Sequence, residues 1–274
     1  MIGIQLNKLR SRIMVRNVIA FTLLFLFATT IHAEIKTETI TYKVGDVECR
    51  GYLAYDDSNE GKRPGVLVVH EWWGLNDYAK QRTEELAKLG YVAFAADIYG
   101  EGKTADHPSD AGKMARAAQA NVAQWRERAQ AALDTLKKLP QCDAEKLAAI
   151  GYCFGGATAL QLAYTGADLD AVVTFHGALP AATPEEAQQI KVELQINHGA
   201  DDPMIKEEAI TAFKKPLDDA NVQYTFISYP GAVHSFTVPT ANEVGVEGLA
   251  YNKEADEKSW QAMKDLFKQQ FSKQ

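Results

Sequence analysis

The amino-acid sequence predicts a doubly wound α/β fold, and three observations carry that prediction. Short, continuous apolar runs recur at residues 66–70 (VLVVH), 92–96, 147–151, 171–175 and 192–197, with a last strand at 224–229. Runs of this length without polar alternation suit strands buried on both faces, as in a parallel sheet. Helical patterns alternate with them, at 78–89, 111–139, 157–164, 206–220 and 254–271. Strand–helix alternation reads as a parallel sheet covered on both sides. Finally, residues 38–43 and 48–55 flank Gly45-Asp46. That is a hairpin signal, so the sheet is expected to open with an antiparallel pair.

The pattern at 111–139 is long and Ala-rich, and Pro140 stops it. It reads as one helix. No repeat, low-complexity tract or linker interrupts residues 34–274, which are expected to form one domain without a large lid.

The N-terminus is different in kind. Lys8, Arg10, Arg12 and Arg16 form a basic stretch, and residues 18–31 are then almost wholly apolar. His32 and Ala33 lead into ordinary polar sequence at Glu34. This order describes a secretory signal peptide, with cleavage expected between Ala33 and Glu34. A retained membrane anchor needs about 20 apolar residues, and this run has 14. Export to the periplasm or the exterior is the expectation. Without residues 1–33 the chain carries 25 basic and 36 acidic residues, a formal charge of −11. So acidic a chain argues against nucleic acid or anionic lipid as partner. It leaves a monomer or small homo-oligomer as the expected state.

There are three cysteines, Cys49, Cys142 and Cys153. No CxxC pair supports a zinc ribbon or thioredoxin-type chemistry. In an oxidising compartment Cys49 and Cys142 could pair, leaving Cys153 as the odd thiol.

In open α/β sheets, ligands bind beyond the carboxyl ends of the strands. Those ends carry His70-Glu71-Trp72-Trp73, Asp97, Cys153, His176, His198 to Asp202, and His234. Gly151-Tyr152-Cys153-Phe154-Gly155 is G-x-C-x-G between a strand and an Ala-rich helix, a nucleophile elbow with cysteine as the nucleophile. The glycines are needed because the chain reverses so sharply that a Cβ would clash. The turn sets the thiol at a helix N-terminus, where unpaired N–H groups and the dipole favour a thiolate. Elbow folds order their triad nucleophile, acid, histidine. Here Asp201 or Asp202 follows Cys153, and His234 follows both. His234 would handle the thiol proton and activate water, and an aspartate would orient its imidazole. Either aspartate could instead cap the following helix.

At this point the chain resembles the dienelactone hydrolases (carboxymethylenebutenolidases) of the α/β-hydrolase superfamily, from about residue 42 to 271. GYCFGG matches the family elbow. The family's acid ends a G-x-x-D segment, here Gly199 to Asp202, so the resemblance selects Asp202. His234-Ser235-Phe236 matches the family H-S-F segment. Glu71 matches the glutamate that controls the thiol's protonation, and the oxyanion hole is implied to be the backbone N–H groups of Trp72 and Phe154. Trp73, Tyr99, Ser235 and Phe236 are expected to contact substrate.

The resemblance implies a cofactor-free hydrolase of a small ester, lactone or thioester, working through an acyl-enzyme. Two family arginines that hold a substrate carboxylate are absent, their places taken by Glu101 and by Thr237-Val238. Dienelactone itself is therefore not the expected substrate. Two rival classes are set aside. A zinc hydrolase would draw on His70, Glu71, His176, His198 and Asp202, but no HxH or HExxH spacing supports it. A redox-sensing thiol or binding protein needs no triad acid.

Overall fold

The computed structural model describes residues 34–272. The expected signal peptide, residues 1–33, lies outside the described residues. Eight strands form one sheet: β1 (Ile35–Val44), β2 (Val47–Asp56), β3 (Arg63–Val69), β4 (Val92–Ala96), β5 (Cys142–Tyr152), β6 (Ala171–Phe175), β7 (Glu193–Gly199) and β8 (Tyr224–Tyr229). Their spatial order is β1-β2-β4-β3-β5-β6-β7-β8. β1 pairs antiparallel with β2, and β2 with β4. Every later pairing is parallel. The expected hairpin turns at Gly45, whose φ of 57° favours glycine.

Among the described residues seven α-helices cover the sheet: α1 (Asp77–Lys88), α2 (Pro108–Gln119), α3 (Val122–Lys137), α4 (Phe154–Tyr164), α5 (Pro184–Gln189), α6 (Glu207–Asp219) and α7 (Lys253–Phe271). The apolar runs serve two cores at once. On β3, Leu67 and Val69 face a core with Trp125, Leu133, Leu160 and Phe213 of α3, α4 and α6. Val66 and Val68 face Leu86, Met263 and Phe267 of α1 and α7. Alternate residues pointing to opposite faces explain why the run must be apolar throughout.

One expectation needs correction, one element is new, and one open question is answered. Residues 111–139 are two helices. The break comes at Asn121, whose side chain accepts the Gln124 N–H and caps α3. An asparagine that satisfies a free N–H there outweighs alanine's helix preference. The short α5 was not anticipated, although Thr183 and Glu186 form a full capping box around Pro184. Cys49 and Cys142 do not pair. Both are buried free thiols, on β2 and β5 with β4 and β3 between them. Strand spacing alone puts them about 14 Å apart, beyond disulfide reach.

Candidate active site

β5 ends directly on the elbow. Cys153 takes φ 52° and ψ −114°, as the residue before α4. A non-glycine residue rarely adopts such angles, and the surroundings hold it there. Its N–H donates to Phe175 O (3.0 Å), and its carbonyl accepts the Gly156 N–H (3.0 Å). The flanking glycines are forced: a Cβ on Gly151 would lie 1.9 Å from Gly155 O, and one on Gly155 would lie 2.2 Å from Val69 O.

Two loops bring the partners. Asp202 follows β7 and His234 follows β8. His234 Nε2 lies 3.1 Å from Cys153 Sγ, and His234 Nδ1 lies 2.8 Å from Asp202 Oδ2. Asp202 Oδ1 accepts the Met204 N–H (2.8 Å), so this one aspartate both caps a turn and meets the imidazole. Asp201 is exposed. Burial opposes a charged imidazole at His234, but the Cys153 sulfur and the Asp202 carboxylate outweigh it and raise its pKa well above the ordinary value.

Glu71 follows β3 and is 3% exposed. Burial pushes its carboxyl up to about 7, against the opposing pull of His234 and a hydrogen bond from Ser235. Ser235 Oγ donates to Glu71 Oε1 (3.0 Å), and Ser235 is itself buried, so it serves the carboxylate where substrate contact was expected. Phe236 also departs from expectation. It is fully buried with Tyr229, Ala232 and Ala255, behind His176, and packs the core. Trp73 and Glu71 line a cleft of about 470 Å³ with Leu75, Tyr78, Thr104 and Val238. A roomier groove of about 530 Å³ between α5 and α6 shares none of its lining with Cys153, His234, Asp202 or Glu71. Tyr99 is mostly buried, and its hydroxyl donates to Trp72 O (3.0 Å).

The two N–H groups expected to form the oxyanion hole are free. Neither Trp72 N–H nor Phe154 N–H donates to an acceptor among the described residues. That of Phe154 opens α4, where the first turn leaves its donors unpaired.

Sequence reasoning missed a buried support behind Glu71. His176 Nδ1 sits 4.0 Å from Glu71 Oε1, and His176 Nε2 lies 2.7 Å from Thr237 Oγ1. Thr237 Oγ1 lies 2.6 Å from Tyr78 OH, which accepts from Arg82 Nε (3.1 Å). Arg82 Nη2 reaches Thr237 O (2.9 Å) and Asp256 Oδ1 (2.5 Å). One signal was available: Arg82 stands on the buried stripe of α1 with Ala79, Thr83 and Leu86, and a charge in such a stripe calls for a buried partner. Lys103 pairs with Glu101, both more than half exposed. Among the described residues, no group of three His, Cys, Asp or Glu side chains is placed to hold a metal ion.

The profile described as the dienelactone hydrolase family matches residues 49–271. The chain belongs to the dienelactone hydrolase family. It is accordingly a carboxylic ester hydrolase with a small-molecule substrate. Among relatives of this dienelactone hydrolase-family chain, Protein usf of Aquifex pyrophilus is 32% identical over 73% of this chain and 86% of its own. A Synechocystis protein provisionally named carboxymethylenebutenolidase is 30% identical, over 85% and 97%. A crystal structure of a dienelactone hydrolase-like promiscuous phosphotriesterase from metagenomic libraries superposes with a TM-score of 0.84 at 41% identity, over 86% and 98%.

Proposed function

We propose that this hydrolase cleaves a small ester, lactone or thioester with Cys153 as nucleophile, His234 as base and then acid, and Asp202 as the orienting acid. The observation that carries the reading is the unbroken chain of contacts, Sγ to Nε2 at 3.1 Å and Nδ1 to Oδ2 at 2.8 Å. His234 Nε2 holds the proton taken from the thiol; the thiolate attacks the carbonyl carbon, and the carbonyl electron pair moves onto oxygen, facing the Trp72 and Phe154 N–H groups. The oxyanion collapses and expels the alkoxide or thiolate, which takes the proton from His234 Nε2. Water then attacks the S-acyl group, giving its proton to His234, and Cys153 leaves as thiolate. Glu71 tunes this cycle. As a neutral acid it leaves the thiolate–imidazolium pair unopposed; ionised, it adds a negative charge beside them.

The test is a rate assay of residues 34–274 on short-chain aryl esters, thioesters and lactones, with a phosphotriester included because the metagenomic relative is named for that activity. Turnover of one class by the wild type and none by Cys153→Ala is expected. Equal rates in both would end the reading.

We infer further that the chain is exported and loses residues 1–33, a reading supported by the basic and apolar order of that segment. Exported protein should begin at Glu34 by N-terminal sequencing. A retained Met1 would overturn it.

A further inference from the structure

His70 directly follows β3 and is fully buried, and the proposed mechanism gives it no task. Its Nε2 accepts the Ile98 N–H at 3.3 Å. A neutral imidazole has one acceptor nitrogen and one N–H, so Nδ1 carries the proton and donates to Glu71 O at 2.5 Å. Burial holds the ring in this neutral form.

The acceptor matters because Glu71 C=O and Trp72 N–H belong to one planar trans peptide. Fixing the oxygen fixes the direction of the hydrogen on the opposite side. Donation into the oxygen also polarises the group and strengthens the N–H as a donor. The neighbouring carbonyls are tied as well. Gly74 N–H reaches the same Glu71 oxygen (3.3 Å), and Ala105 N–H reaches Trp73 O (2.9 Å). Tyr99 OH reaches Trp72 O (3.0 Å). Three successive carbonyls are anchored while Trp72 N–H stays free. The His70 ring also stacks on Phe154, which carries the second free N–H, at 6.0 Å and 19°.

We propose that His70 is a positioning residue that aims and polarises the Glu71–Trp72 peptide, so that Trp72 N–H meets the oxyanion as it forms. The proposal rests on the cysteine-hydrolase reading above, and the test separates the two. It compares two reactions of Cys153: the acylation burst with 4-nitrophenyl acetate, which develops an oxyanion, and alkylation by iodoacetamide, which develops none. The variants are His70→Asn, whose amide nitrogen overlays Nδ1, His70→Gln, whose amide overlays Nε2, and Tyr99→Phe. Loss of a whole oxyanion donor costs about 100- to 1,000-fold; a donor left in place but misaimed should cost less. His70→Gln should slow acylation about 10- to 100-fold, His70→Asn about threefold, and Tyr99→Phe by an intermediate factor. Alkylation rates and their pH profile should stay within about twofold of wild type in all three. Equal losses in Asn and Gln variants, or acylation and alkylation falling together, would reduce His70 to a packing residue and overturn the proposal. A wild type that alkylates but never acylates would overturn the hydrolase reading instead.

Discussion

Two carboxylates lie near the same imidazole, and the protein supplies them with different donors. Asp202 and Glu71 are almost equally hidden, 6% and 3% exposed. Asp202 accepts from two N–H groups, those of His234 and Met204, at 2.8 Å each. Glu71 has one hydroxyl, from Ser235, and a neutral imidazole 4.0 Å off. Burial then raises the Glu71 carboxyl to about 7. The comparison teaches that two carboxylates equally hidden from water can be given quite different sets of hydrogen-bond donors.

The strongest way to break that comparison is Asp202→Asn. It removes the charge that orients His234 and should lower kcat on an aryl ester by about 1,000- to 10,000-fold, the scale known for a triad acid. Asp201→Asn should change kcat by less than about twofold; comparable losses would refute the choice of Asp202. Next comes Glu71→Gln. A carboxyl whose folded pKa is raised above its unfolded value stabilises the protein below the unfolded value, near 4.5. That contribution is lost as pH rises toward about 7. The variant should therefore match the wild type at pH 4.5 and exceed it at pH 8 by roughly 2–3 kcal/mol in urea unfolding. No gain at pH 8 would show that Glu71 is not held against its charge. The smallest effect is expected from Ser235→Ala. Losing a donor to the carboxylate should move the pH of that stability change upward by less than about one unit. A downward move would mean that Ser235 favours the neutral acid.

Much of this was legible before any coordinates. The elbow reads directly from Gly151, Cys153 and Gly155, because a local clash dictates the glycines. The strands read from their length and unbroken apolarity. Asn121 did not announce its cap, since an asparagine in an Ala-rich run has the same composition whether it caps or merely sits exposed. Ser235 and Phe236 stand beside His234 in the sequence, but the serine meets Glu71 and the phenylalanine packs the core. Adjacency in sequence gives proximity, whereas the strained φ of 54° at Ser235 decides direction. The Arg82 support lay furthest from view, because its ties to Thr237 and Asp256 span 155 and 174 residues. No local pattern encodes a contact of that range.

That guanidinium also ties elements far apart in the sequence to one loop. Arg82 joins α1 to Thr237, in the loop that carries His234, and to Asp256 on α7. The Gly248 carbonyl, just before α7, receives the His234 N–H (3.1 Å). The place of the His234 loop therefore depends on contacts that reach from α1 to α7.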